Sequence, residues 1–469
     1  MATKDKNLNN AAAFSFTSVK ITLEDGKNKG KTFQIKGIIN GFTYYEDITR
    51  PFISANLNIT DSTANLIGSG TGPITGNELV EIVVLGPDEK EYTYYFRVYK
   101  VGDRINSGKV QNYNLGLISE EALANPQTRI RKALTGRPDE IVRECLGEGG
   151  LNTPKNIITD PCLNKKKILP KNLSPFAICA KLQDQSIPFG KGGIGSGVGA
   201  ETKDGKYSDG TAGFFFYENA RGFNFRSIDG LMDIENSMNI NNSGANYVKA
   251  FQDSAGDEMP ETIIDVQFTS EINLMQSLLT GAYSIRCQYY DISTGEYKES
   301  TYSANKSWDK QAHLGSQDEL TPGQKILAGR PTRIVSAILD SESYYSGQDS
   351  AIDSDYQDWT PSTLPQAISR NYLLNTQGLR IIVPGNLELV VGDIVKVFLQ
   401  NMSTQEGEVG RALESVDQDH SGFYLITSLS RFYDTVNRRV TTMLSLKRDS
   451  YGLLDVDSED KRSGAALAN

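Results

Sequence analysis

The chain opens on short runs in which apolar and polar residues alternate. In FTSVKITLED, Val19, Ile21 and Leu23 alternate with Lys20, Thr22 and Glu24, the two-residue period of a half-buried strand. KTFQIKGIIN, FISANLNITD, ELVEIVVLG, YTYYFRVYKV and QNYNLGLIS repeat the pattern, separated by Gly, Asp, Asn and Pro. Strands this short, punctuated by turn residues, predict an antiparallel barrel or sandwich over 14–118. At Ser119 the period changes. SEEALANPQTRIRKAL and PDEIVRECLGEGG carry acids early and glycine late, which predicts helices. SPFAICAKLQDQSI adds Ser174 as an N-cap with Pro175 at the first helical position.

Further on, GFFFYENARGFNFRS predicts an aromatic hairpin turning at Glu218–Gly222. ETIIDVQFTS and GAYSIRCQYYDIS predict strands, with a short helix near 270–280 between them. PSTLPQAISRNYLLNTQG predicts a helix ending near Gly378. GLRIIVPGNLELVVGDIVKVFL, GFYLITSLSRFYD and RRVTTMLSLKRDS then return to strands.

Two of these stretches echo each other. GNELVEIVVLG at 76–86 and VGDIVKVFLQ at 391–400 both enter an alternating strand from Gly followed by Asn or Asp. Each precedes an aromatic-led strand, a turn and a strand ending in charge. The pairing of Gly76-Asn77 with Gly392-Asp393 predicts a duplicated β-domain. The expected organisation is a flexible N-terminus at 1–13 and a first tube-like barrel at 14–118. A helix-rich domain with a Gly-rich loop follows at 119–206. A second barrel is built from 207–245 and 376–450, interrupted by an inserted domain at 246–375. A polar tail closes the chain at 451–469.

Composition narrows the function classes. The formal net charge of -10 disfavours a protein that coats nucleic acid. The basic clusters Arg129–Lys132 and Lys165–Lys167 are expected as solvated surface. Cys145, Cys162, Cys179 and Cys287 form no CxxC pair, and the first and third fall in apolar helical patterns, which predicts buried free thiols. The first residues lack the apolar core of a signal peptide. No apolar run reaches the roughly 20 residues of a membrane span, so no membrane insertion is expected.

Candidate chemistry is sparse. Gly190-x-Gly192-x-x-Gly195 matches a dinucleotide fingerprint, but more Gly, Lys and Asp follow where a helix is needed, and a loop is expected. Asp353, Asp355 and Asp358 lack the glycine and distal glutamate of a calcium loop. His313 and His420 fall in polar loops and are expected to be solvated. HExxH, GxSxG and Walker A sequences do not occur. No catalytic, cofactor-binding or metal residue is therefore assigned, and no cofactor is expected.

The order GFFFYENARGFNFRS, LRIIVPGNLELVVGDIVKVFL, GFYLITSLSRFYD, TTMLSLKRDS resembles the baseplate hub proteins of contractile-tailed bacteriophages and the related hub parts of type VI secretion spikes. The similarity lies in Pro384-Gly385, Leu389, Gly392-Asp393, Gly422-x-Tyr424 and the closing Lys447-Arg448-Asp449. FTYYEDITRPFISANLNITD fits the first tube domain of that family. The resemblance implies a mainly β fold with two similar antiparallel tube-type β-barrel domains, a helix-rich domain and an inserted domain. It implies a homotrimeric ring of pseudo-six-fold symmetry and no catalysis. The ring would join a hexameric tail tube to a trimeric central spike, contact other baseplate proteins, and let DNA pass through its lumen. Its place would be the virion tail baseplate, assembled in the host cytoplasm. The alternative from the residues is a carbohydrate- or receptor-binding β-module using exposed aromatics: Trp308, Trp359 and the tyrosines at 44, 45, 94, 95, 344 and 345. Alternation makes half of each tyrosine pair core.

Overall fold

The computed structural model describes residues 12–24, 29–62, 66, 74–108, 110–189, 211–233, 246–249, 262–271, 273–292, 295–308, 311–339, 360–399 and 417–452. The fold is mainly β, with large antiparallel sheets and a few helices.

The first strands are β1 (Ser15–Thr22), β2 (Thr32–Gln34), β3 (Ile39–Asp47), β4 (Ser54–Asp61), β5 (Leu79–Leu85), β6 (Glu91–Ser107) and β7 (Val110–Ile118). Alternation puts Phe42, Leu57, Ile82, Phe96 and Leu115 into one core. The helix-rich segment holds α1 (Glu120–Ala124), β8 (Leu134–Gly136), α2 (Pro138–Leu146), β9 (Ile157–Thr159), β10 (Lys166–Ile168) and α3 (Pro175–Gln183). The long helix expected over 119–134 stops early. Asn125 still holds helical dihedrals and donates to Glu121 O, but Pro126 has no N–H to continue the ladder, and the chain turns into β8. Ser174 stands at the N-cap of α3 but makes no side-chain cap bond.

The predicted hairpin is β11 (Phe214–Asn219) with β12 (Gly222–Ser227), and every strand position in it is buried. It was expected beside strands of 376–450, but β12 pairs in parallel with β9 instead. Aromatics on both faces explain the placement. Phe214, Phe216, Phe223 and Phe225 pack into the helix-rich core. Phe215 and Tyr217 enter the main β core.

The remainder holds α4 (Ile228–Met232), β13 (Asn246–Lys249), β14 (Asp265–Ser270), α5 (Leu274–Thr280), β15 (Ser284–Asp291), β16 (Tyr297–Ser303), α6 (Pro322–Ala328), β17 (Arg333–Leu339) and α7 (Thr360–Leu373). After them come β18 (Gln377–Pro384), β19 (Ile394–Leu399), β20 (Gly422–Asp434) and β21 (Arg439–Arg448). β15, β16 and β17 form their own sheet over a small core that includes Tyr283, Trp308 and Leu373. β13 and β14 lie in the stretch expected as insertion, yet they join the second β unit through β19 and β18.

One sheet runs through both units. Its path is β14-β18-β21-β20-β3-β4-β7-β6-β5-β1-β2, with β19 and β13 branching from β20. Two sets of strands in it share one order: β3, β4, β7, β6, β5, β1 and β14, β18, β21, β20, β19, β13. Register agrees as well. Leu79 faces Arg97, which faces Ile118, and a bulge follows between Val98 and Lys100. Ile394 faces Leu425, which faces Lys447, and a bulge follows between Ile426 and Ser428. The sets differ at one end, where β1 is antiparallel to β5 and β13 parallel to β19.

Candidate functional surfaces

The Gly-polar starts singled out in the sequence sit at matching places, shifted by one residue. The Asn77 N–H donates to Val98 O and the Val98 N–H to Glu78 O. The Gly392 N–H donates to Ile426 O and the Ile426 N–H to Asp393 O. Hydrogen bonding therefore equates Gly392 with Asn77 and Asp393 with Glu78, correcting the sequence pairing. The physical reason is a shared turn. Asn77 and Gly392 both have positive φ, 72° and 93°. The buried carboxylate that follows accepts the N–H three residues back, Thr75 at 2.6 Å for Glu78 and Val390 at 3.2 Å for Asp393.

In the second unit this turn seats the aromatic hairpin. Arg221 donates from both terminal nitrogens to Asp393, at 2.7 and 2.9 Å, a two-pronged pair that fixes geometry as well as charge. Asn219 Nδ2 donates to Val391 O at 2.9 Å. The Glu46 carboxylate of β3 joins the same point, accepting from Tyr44 Oη at 2.6 Å and from the backbone of Ala220 and Val391, each at 2.8 Å. Burial pushes the Glu46 carboxyl up, against the Arg431 charge and these hydrogen bonds. The cluster thus ties β3, the hairpin turn and the start of β19 together.

The two units meet edge to edge where β20 pairs with β3, from Ser428 opposite Asp47 to Asp434 opposite Gly41. Tyr433 is fully buried there, its ring 5.1 Å from Phe14 and 5.2 Å from Phe42. Its hydroxyl lies 3.2 Å from that of Tyr94. Arg431 is also buried, stacks over the Tyr44 ring at 5.5 Å and donates to Leu387 O at 3.1 Å. Long side chains of one unit thus fill the core of the other, which fixes their relative position.

The opposite face of this sheet sets uncharged polar residues at its centre beside the exposed Tyr45, Phe432 and Met443. Asn56 lies between Thr43 and Gly116, and Thr43 in turn faces Phe432. Asn58 faces Asn114, and Thr60 faces Asn112. Asn40, Thr60 and Asn112 form a hydrogen-bonded chain across three strands.

A buried charge cluster holds α7. The fully buried Arg370 donates to Asp449 Oδ2 at 2.6 Å and Asp229 Oδ1 at 3.2 Å. His313 Nδ1 lies 2.7 Å from Asp449, and its ring stacks on Trp308 at 4.0 Å. Burial alone would push the Asp449 carboxyl up, but His313 and Arg370 beside it hold it well below the usual carboxylate range.

Several expectations change here. His313 is enclosed by Trp308 and Asp449 rather than solvated, while His420 is half-buried with Nδ1 2.8 Å from Asp417. Lys166 is buried and donates to Gln185 Oε1 at 3.1 Å, so that cluster is not all solvated surface. Trp308 is 3% exposed and cannot serve as a sugar platform. The tyrosine pairs split as alternation requires: Tyr44 and Tyr94 are buried, Tyr45 and Tyr95 exposed. All four cysteines are buried and free. The Gly190–Gly195 loop, Asp353, Asp355, Asp358, Trp359 and the tyrosines at 344 and 345 lie outside the described residues. Among the described residues, no group of three or more His, Cys, Asp or Glu could hold a metal ion, and no helix is long and apolar enough to cross a membrane.

No family model and no curated protein matches the chain. Solved structures do. The tail protein from Neisseria meningitidis MC58 aligns over 93% of this chain and 97% of its own, at 10% identity and a TM-score of 0.51. The 43 kDa tail protein of prophage MuSo2 from Shewanella oneidensis aligns over 93% and 98%, at 10% identity and 0.47. The E. coli c3393 protein, a component of the type VI secretion system, aligns over 94% and 78%, at 10% identity and 0.42. Identity this low speaks to fold and leaves function to the surfaces. Over 93% of its length, the chain shares the fold of the Neisseria tail protein.

Proposed function

We propose that this protein is a structural, non-enzymatic hub of a contractile-tail baseplate. Three copies form a ring of pseudo-six-fold symmetry between a hexameric tail tube and a trimeric central spike, in contact with other baseplate proteins. DNA passes through the lumen. Assembly takes place in the host cytoplasm, and the final location is the virion tail. The two like β units are its tube domains, the helix-rich segment and the β15–β17 sheet lying around them.

One observation carries this reading: a single chain holds two units of the same strand order and register, joined edge to edge through β3 and β20. A chain with two like units supplies six similar modules from three copies, which is the geometry of a three-to-six adaptor. The tail-protein fold supports the setting. Native mass measurement of the purified full chain should give three copies, and electron-microscopic averages should show six similar densities around an opening. A chain that stays monomeric at every concentration, alone and with its spike, would overturn the reading.

A further inference from the structure

The duplicated topology says more than that the units are alike. It shows how one unit attaches to the next, because one such attachment is made within the chain. There, the far half of β20, beyond its pairing with β19, offers its edge to β3. The equivalent strands in the other two positions are β6 and β14. β6 pairs with β5 only as far as Arg97. Beyond that residue its β7 edge stays paired to Ser107, while the other edge of Lys100–Ser107 has no ladder partner among the described residues. β14 pairs with β18 along one edge, and its other edge has no ladder partner among the described residues.

Exposure follows this asymmetry. In the attachment made within the chain, Leu429 is 1% exposed and Tyr44 0%. Their counterparts are Val101 at 39% and Phe268 at 43%. Long bare edges carrying apolar side chains invite pairing with another chain. Here a complementary edge of the right order lies at the far end of the same sheet.

We propose that the Lys100–Ser107 edge of β6 pairs antiparallel with β14 of a second copy of this chain, in the register of β20 with β3. This rests on the ring reading and names the surface that closes the ring. Equivalence through the β7 and β21 partners sets the register. Phe432 opposite Thr43 becomes Ile105 opposite Gln267. Leu429 opposite Glu46 becomes Val101 opposite Glu271, one residue from Lys100. The extra residue at Asp103, with φ 53°, is absorbed in a bulge between Gly102 and Ile105. Each copy donates one edge and receives the other, so the contact is head-to-tail and closes only as a ring.

The test is a double variant of the full chain, Ile105→Cys with Gln267→Cys. Directly opposed positions lie close enough for a disulfide, and the native cysteines are buried. Under mild oxidation most of the protein should run as a covalent trimer on a non-reducing gel. Each single variant should give none, and the slipped pair Ile105→Cys with Asp265→Cys an order of magnitude less. Native mass of the reduced double variant is measured alongside. A trimer by mass that forms no 105–267 link would overturn this interface and leave the ring standing. A reduced protein that is monomeric at every concentration, with or without its spike, would overturn both.

Discussion

At the residue scale, the second turn at a strand start explains a glycine that the first does not need. Asn77 holds the left-handed conformation in the first unit, and asparagine tolerates it. At Gly392 a Cβ would lie 2.1 Å from the Tyr217 hydroxyl, because the aromatic hairpin seats there and has no counterpart among the described residues of the first unit. Replacing Gly392 with Asn, the residue of the matching turn, should therefore cost about 2–4 kcal/mol through overpacking. Tyr217→Phe removes the obstructing oxygen, so the double variant should recover part of that loss, with a coupling of about 0.5–3 kcal/mol. Denaturant unfolding of the four proteins checks it. Equal losses with and without the hydroxyl would mean that backbone strain, rather than the hairpin, selects glycine. The sequence made the Gly-Asp visible but misaligned it by one residue. Only hydrogen-bond register shows that the buried carboxylates Glu78 and Asp393 are the matching pair.

At the scale of elements, alternation made most strands legible, since each of these strands has one wet and one dry face. It could not reveal which strands bond across the units. β20 is long enough to serve two partners, yet nothing local distinguishes SLSRFYD from any other half-buried strand. The hairpin at Phe214–Ser227 was legible for a different reason, the turn Glu218–Gly222 between two aromatic runs. Its neighbours were not, because aromatics on both faces say that two layers cover it without saying which. The β20–β3 junction should depend on the inward residues of β20. Tyr433→Ala empties a fully buried ring site among Phe14, Phe16 and Phe42 and should cost about 3–5 kcal/mol. Phe432→Ala removes its neighbour, which is 47% exposed on the other face, and should cost less than about 1 kcal/mol in the isolated chain. Urea titrations compare them directly, and similar losses would show that the inward face does not hold the units together.

At the scale of the whole molecule, the proposed hub role raises the question of how a protein of net charge -10 would surround DNA. An acidic lining would repel phosphates, but the sheet offers a milder device. Where β3, β4 and β7 meet β20 and β21, the side opposite the core presents Thr43, Asn56, Asn58, Asn112, Asn114, Ser430 and Ser445, with the exposed Tyr45, Phe432 and Met443 among them. None of these side chains carries a charge to attract or repel a phosphate at long range. The sequence showed the net charge but not its distribution, because the sorting of faces is a property of the assembled sheet. If this face lines the lumen, neutrality is what lets DNA slide, and cations placed on it should turn passage into retention. Asn56 and Asn112 are both exposed on this face. With Asn56→Lys and Asn112→Lys together, the assembled protein should hold linear duplex DNA at low salt. Its affinity should fall linearly in log–log form against salt, with a slope of about -0.9 per phosphate neutralised. The native protein should show no such retention under the same conditions. Fluorescence anisotropy of labelled DNA across a salt series makes the comparison. Tight, salt-sensitive binding by the native protein would mean that a charged surface, and not this neutral face, meets the DNA.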